Sequence, residues 1–259
     1  MSERIRMVIT VKAYPAISNK YGEVVCVAGI RIDVEPYSWV RLWPVPFREL
    51  HFDQRFSKYD IIEIEVDSST DSRPESVRPN LDSLQILQGK RLPPGGPWPK
   101  RRPVVEPLLI DSMCQLQQQQ RVDGTSLGVF RPAEVTDLVI EDDTDEWKPG
   151  QSGKASQSSL FFPNKGVLEK IPCRFKYRYR CSDPQCRGHE QSIVDWEIAE
   201  SYRNWRSRYP DEATLRAKIK QKYFEQMCDP KRDTAFFAGN MHLHPEAFLI
   251  LGVFWPMKI

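Results

Sequence analysis

Hydrophobic and polar residues alternate with a period of two over several short stretches, and with a helical period over two. In Tyr59–Val66 the alternation sets Ile62, Ile64 and Val66 on one face and Ile61, Glu63 and Glu65 on the other, a half-buried strand. Trp39–Trp43 sets Trp39, Arg41 and Trp43 opposite Val40 and Leu42. Met7–Val11 and Val24–Ile30 are β-branched runs separated by the turn formers Ser18, Asn19 and Gly22. Further strands are predicted at 127–130, 135–140, 174–180, 234–239 and 248–255. The last is apolar on both faces, which places it centrally in its sheet. In 174–180, Phe175, Tyr177 and Tyr179 share the buried side, and Arg174, Lys176, Arg178 and Arg180 share the outer one. Helical spacing appears in Trp196, Ile198, Ala199, Tyr202 and Trp205, and again in Leu215, Ile219, Tyr223 and Met227. Pro210 opens the second helix at its first position, followed by Asp211 and Glu212 in the first turn.

Many short strands at close spacing predict small barrels or curled sheets. The clearest break is residues 89–105, where prolines and the pair Gly95-Gly96 deny both helix and interior strand. This segment reads as a solvated linker, with Lys90, Arg91, Lys100, Arg101 and Arg102 available to a phosphate. It separates a first β unit at 1–88 from a second at 106–259 that carries a helical insertion at 195–228. An acidic, Gly/Ser-rich tract from Glu141 to Ser159 reads as a surface loop. The two β regions leave room for a diverged duplication.

Composition narrows the class without choosing a function. Forty per cent hydrophobic and 28% charged residues are ordinary for a soluble globular protein, and a net charge of +2 puts any polyanion site in a local patch. Met1–Arg6 is charged and the apolar run after it is short, so no secretory leader is expected. The longest apolar run, Ala247–Trp255, is about half the ~20 residues of a membrane helix. The expectation is a cytoplasmic protein without a membrane partner. Its six cysteines are then reduced thiols or metal ligands. No phosphate-cradling G-x4-G-K-[ST], G-x-S-x-G or H-E-x-x-H occurs, which argues against the commonest ATPases, hydrolases and zinc proteases.

The stretch Cys181-Ser-Asp-Pro-Gln-Cys186-Arg-Gly-His189 puts two thiols and an imidazole in one turn. Zinc takes about four such ligands in a tetrahedron, so the turn supplies three, and Cys173, Cys228, His242 or His244 would supply the fourth. A fully extended strand carries Cys173 roughly 26 Å from Cys181, which favours a distal ligand. A metal-free hairpin tip is the alternative. A redox pair fits less well, because four residues rather than two separate the thiols. Asp195 and Glu197 could hold a catalytic metal with His189, as in a metal-dependent nuclease. The simpler reading is acids in the first turn of a helix.

Between Lys165 and Lys222 there are 14 Lys and Arg against 8 Asp and Glu, which marks this region as locally basic. The outer face of Arg174, Lys176, Arg178 and Arg180 could follow a phosphate backbone. Trp39, Arg41 and Trp43 could form a stacking platform in the first unit.

Several motifs keep one order along the chain: "VKAYP" (11–15), "WVRLWPVPFREL" (39–50), "KYDIIEIEV" (58–66), "DSRPES" (71–76), "SLGVFRP" (126–132), "FKYRY" (175–179), "DWE" (195–197) and "LGVFWP" (251–256). In these the chain resembles the dual OB-containing domain proteins of bacteria. The resemblance implies two OB-like β-barrels and a setting among bacterial defence and mobile-element conflict genes. It brings no catalytic residues. The expectation is therefore a mostly β (α+β) protein of two OB-like barrels, the second with a two-helix insertion and a zinc-pinned hairpin. Its expected role is binding single-stranded or structured nucleic acid as an accessory or sensing component of a defence system, with a protein partner encoded nearby. The alternatives are the nuclease using His189, Asp195 and Glu197, and an adaptor that docks an effector.

Overall fold

A computed structural model describes residues 2–18, 20–147 and 166–259. The part of the expected acidic loop from Lys148 to Ser159 lies outside the described residues. The first unit comprises β1 (Glu3–Lys12), β2 (Ala16–Ser18), β3 (Gly22–Arg31), β4 (Ser38–Val45), β5 (Ile61–Ser68) and β6 (Ser76–Ile86). The strands run β1-β5-β6-β4-β3-β2, and a β1–β3 pairing closes five of them into a barrel. One strand closes the ring because it serves two neighbours. Glu3–Val8 pairs with β5, and Met7–Lys12 pairs with β3 across a register shift between Ile9 and Val11. Gly29 lies at this crossing, where an added Cβ would stand 2.1 Å from the Val8 carbonyl oxygen, so no side chain fits. Ile62, Ile64 and Val66 point into the barrel with Ile5, Met7, Val27, Leu42 and Phe56, as their alternation predicts.

The second unit repeats this connectivity. β8 (Leu127–Phe130) and β9 (Glu134–Asp142) are one line of chain bent at Arg131-Pro132-Ala133. Its first half pairs with β12 (Ala235–Asn240) and its second half with β10 (Cys173–Arg180). β10 pairs with β11 (His189–Ile193), and β11 runs parallel to β13 (Phe248–Phe254), which pairs with β12. In the first barrel the corresponding parallel pair is β4–β6, and its other barrel pairings are also antiparallel. A two-residue strand, β7 (Leu109–Ile110), extends the second sheet at its edge. Both units insert their non-strand segment between the third and fourth strands of this order. In the first it is a pair of 3-10 turns, and in the second it is helical.

A short helix, α1 (Arg102–Val105), follows the first barrel, and α2 (Met113–Asp123) precedes the second. The insertion holds α3 (Trp196–Trp205) and α4 (Glu212–Lys220), the latter running into a π-helical turn at Gln221–Gln226. α4 starts two residues after the expected first position at Pro210, with Asp211 as its cap, the carboxylate accepting from the Thr214 amide at 2.9 Å. The stripe of Leu215, Ile219, Tyr223 and Met227 is buried against the Phe175, Tyr177 and Tyr179 side of β10. Among the described residues no helix is long and apolar enough to cross a membrane.

The two barrels share an apolar seam of Val8, Val11, Ile30, Leu127, Val129, Phe237, Leu251 and Phe254. Backbone pairing reinforces it, since Ala13 bridges Asp195 and the Tyr14 amide donates to the Val194 carbonyl at 2.7 Å. Gly89–Arg91 and Pro93–Gly96 are exposed, as expected of a linker, but the second half of segment 89–105 packs into this seam through Trp98, Arg101, Arg102 and Val105. Trp98 is buried between Tyr59, Phe254 and Trp255, with ring centroids 5.2–5.8 Å apart. Arg101 lies over the Tyr59 ring, while Arg102 donates to Asp233 (2.7 Å), Glu106 and the Met257 carbonyl. Proline removes backbone pairing but leaves side chains free to pack. Limited trypsin digestion of the folded protein should therefore leave the bond after Arg101 intact, the Arg102–Pro103 bond being resistant to trypsin in any state. Early release of two fragments cut there would show that the segment is a free tether.

Candidate functional site

The cysteine turn becomes a four-residue cluster. Strand β10 ends just before Cys181, the turn supplies Cys186, and His189 opens β11. Helix α2 brings Cys114 to the same point. Ser112 caps that helix by accepting from the Gln115 amide at 3.0 Å, and Gly124 ends it at φ 80°. The thiol sulfurs and an imidazole nitrogen all lie within 4.8 Å of one another, with Cys114 Sγ 3.4 Å from His189 Nε2. A zinc–ligand tetrahedron has edges of about 3.5–3.8 Å, so small side-chain motions bring the four donors onto one ion. Burial pushes Cys114 up to about 12 and lowers His189, disfavouring the charged imidazolium. Burial also opposes ionisation of Cys186. The amides of Cys181 (3.3 Å) and Gly188 (3.4 Å) aim at its sulfur and help pull it below the ordinary thiol value. A donor set of three thiols and one neutral imidazole suits a metal cation.

None of the four residues expected to complete the site does so. Cys173 is buried at the far end of β10, and Cys228 faces the Tyr223 carbonyl. His242 stands 3.1 Å from Asp71, and His244 3.9 Å from Glu246. The missed ligand had a signal in Ser112-Met-Cys-Gln115, the spacing of a capping box, which starts a helix and fixes Cys114 in its first turn.

The basic outer face of β10 exists, but acids interleave with it. Lys176 Nζ lies 2.8 Å from Glu141 and 2.9 Å from Glu190, Arg178 lies 2.6 Å from Glu190, and Arg174 lies 3.7 Å from Glu141. Across the pairing with β9, Arg178 is opposite Asp137 and Arg180 opposite Glu134. The opposite side of the strand is core, with Tyr177 stacked on Phe236 at 4.6 Å.

The expected platform of Trp39, Arg41 and Trp43 is not an open one. Val40 and Leu42 fill the first barrel as predicted, yet the other side of β4 meets the second unit. Arg41 is 1% exposed and donates to the Ser126 carbonyl at 3.0 Å. Trp39 sets its edge on Phe237 at 6.1 Å, and Trp43 is half-buried. An arginine so enclosed cannot meet a phosphate backbone.

His189, Asp195 and Glu197 are not brought together, which corrects the nuclease alternative. His189 belongs to the thiol cluster. Asp195 caps α3, accepting from the Glu197 amide at 3.0 Å. Both Asp195 oxygens lie 2.7 Å from Lys58 Nζ, and Glu197 lies 3.3 Å from it. The cation between these carboxylates is thus a lysine. Burial pushes Asp195 up to about 6 against the pull of Lys58. Burial also opposes the Lys58 charge, but the two acids outweigh it and hold that amine above its ordinary value.

Residues 110–259 match a family model described as Domain of unknown function (DUF8757), and residues 3–107 match Domain of unknown function (DUF8758). The junction falls at the end of the packed segment. A solved structure described as a murine DNA-binding protein bound with double-stranded DNA covers 99% of this chain and 96% of its own. At 11% identity and a TM-score of 0.33, that likeness carries no argument about binding. No curated protein matched the sequence.

Proposed function

This chain belongs to the family Domain of unknown function (DUF8757), and from that premise we propose that it binds nucleic acid on the outer face of its second barrel, whose edge a structural zinc ion holds. One observation carries the reading. OB-type barrels bind oligonucleotides on the face of their second and third strands. In the first barrel this face packs on the second unit through Trp39 and Arg41, whereas in the second barrel it is β10–β11 and open. Arg174, Lys176, Arg178 and Arg180 line it. Their acidic partners are no obstacle, since exposed ion pairs are worth ~0–1 kcal/mol and exchange readily for phosphate. Three thiolates and an imidazole are the donor set of a closed structural zinc site, and four protein ligands make it a pin rather than a catalyst. The resemblance to dual OB-containing domain proteins extends the reading to an accessory or sensing role in bacterial defence.

Salt-dependent binding to a labelled single strand tests this. Replacing Arg174, Lys176 and Arg178 by Glu should weaken binding and flatten the slope of log affinity against log salt by roughly two, at about −0.7 per contact. The reverse change is more telling. Glu141→Gln with Glu190→Gln frees the same cations and should tighten binding by about three- to tenfold. If both variants fold and bind as wild type does, the face is not the site. Docking of a protein partner then becomes the better reading.

A further inference from the structure

Four cations whose partners are aromatic rings meet at the seam between the barrels. Lys12 Nζ lies 4.2 Å from the centroid of Phe47 and 4.6 Å from that of Trp196. The Arg101 guanidinium lies 3.7 Å from Tyr59 and 4.5 Å from Trp98. Lys222 and Arg232 both lie on Trp255, at 4.5 and 4.8 Å. The rings connect three of these groups, with Tyr59–Trp98 and Trp98–Trp255 each 5.8 Å apart, while Lys12 lies apart on the Phe47–Trp196 pair. Four separate stretches of chain supply the cations: the end of β1, the segment before α1, the π-helical turn and the loop before β12.

Charge in this cluster is unbalanced, unlike that on β10. Lys58 has Asp195 and Glu197 as partners, but among the described residues Lys12, Arg101, Lys222 and Arg232 form no ion pair. Five cations therefore share Asp195 and Glu197, with Glu200 acting on Lys12 alone among them while itself paired with Arg203. Glu197, with a side chain 54% exposed, marks where the cluster opens to solvent. The backbone is strained at the same place. Tyr59 (φ 67°) and Trp98 (φ 59°) are the non-glycine residues with positive φ among those described, and their rings are in contact. Bulky side chains occupy that region only where the surroundings compel it, and such strain gathers at ligand sites. Burial first, then Lys58, brings Lys12 down to about 8, while Glu197, Asp195 and Glu200 oppose this. Burial lowers Lys222 as well, with Arg232 adding to it, and burial lowers Arg101. Ring faces offset only part of that desolvation. An oxyanion would offset the rest with charge-assisted hydrogen bonds.

We propose that this seam is a phosphate-binding site, in which Lys222 and Arg232 hold a phosphoryl or phosphodiester oxyanion beside Trp255. The site is independent of the β10 face. The same oxyanion chemistry occurs in a free nucleotide and in a nucleic-acid backbone, so the test distinguishes the two.

Calorimetry with pyrophosphate is the measurement. The wild type should bind it beyond any effect of sodium chloride at equal ionic strength. Lys222→Gln with Arg232→Gln should weaken it at least about tenfold. The Arg174→Glu/Lys176→Glu/Arg178→Glu variant should bind pyrophosphate as wild type does, so failure here and failure of the β10 reading are distinguishable. Competition of an oligo-dA strand with pyrophosphate assigns the site to a backbone, and lack of competition assigns it to free nucleotides. Absence of pyrophosphate binding, or an unchanged affinity in a folded Lys222→Gln/Arg232→Gln protein, would overturn the proposal.

Discussion

Cys114→Ser is expected to strip the second barrel of its metal and to lower the melting temperature by about 10 °C. Zinc binding is folding energy wherever the unfolded chain has no preformed site. Removing one of four ligands leaves two thiols and an imidazole, which hold zinc far less tightly. A loss of about 3 kcal/mol shifts a domain of this size by roughly 6–12 °C. The position matters because an ion held there would tie α2 to the β10–β11 turn, two elements far apart in sequence. Elemental analysis should find close to one zinc per wild-type chain and little in Cys114→Ser or Cys186→Ser. Cys173→Ser, buried at the other end of β10, should keep its zinc. Affinity should fall as pH falls, because protons compete for the thiols. Equal zinc in wild type and Cys114→Ser would remove the site.

Asp195→Ala should cost about 3–5 kcal/mol, as removal of one partner from a buried ion pair does, with Glu197 holding the loss toward the lower value. Lys58 would otherwise keep its charge in the seam without its two 2.7 Å acceptors, and α3 would lose its cap. The effect should appear in chemical denaturation whether or not any ligand is present, which separates it from loss of a catalytic acid. Lys58→Met behaves differently with pH. It leaves the Asp195 carboxyl buried without its cation, and protonation relieves that cost. Asp195 is already raised to about 6 in the folded protein, above its ordinary value near 3.8. A folded-state value above the unfolded one gives stability that is present at low pH and lost as pH rises through the folded value. The penalty of Lys58→Met should therefore be smaller at pH 5 than at pH 8. An Asp195→Ala protein as stable as wild type, or a pH-independent Lys58→Met penalty, would show the pair to be dispensable.

Local pattern was enough for much of the fold. Ile62, Ile64 and Val66 line the first barrel, and Phe175, Tyr177 and Tyr179 line the second, because a strand must turn every second residue toward its core. The same pattern placed four cations on the outside of β10 and two amphipathic helices between the third and fourth strands. The clustering of Cys181, Cys186 and His189 was likewise legible, since one short turn brings them together. The duplicated barrel was visible only as two β regions. Its recognition needed the pairing of β8 and β9 with different neighbours across Pro132, which no local signal encodes.

Periodicity says which side of a strand is apolar, but it cannot say what lies beyond the other side. Arg41 has the alternation of an exposed residue and is enclosed because a second barrel covers that face. The glutamates beside Lys176 and Arg178 come from β9 and β11, so the neutrality of that face depends on strand register. Cys114 completes the metal cluster from a helix outside the turn, and Lys58 reaches Asp195 from the other barrel. The packing of Trp98 and Arg101 in a proline-rich segment, and the meeting of Lys222 and Arg232 on the neighbouring Trp255, have the same origin. Each depends on which two surfaces are pressed together when the barrels meet, and that is decided by the shape and burial of the whole chain, since no stretch of it records its distant neighbours.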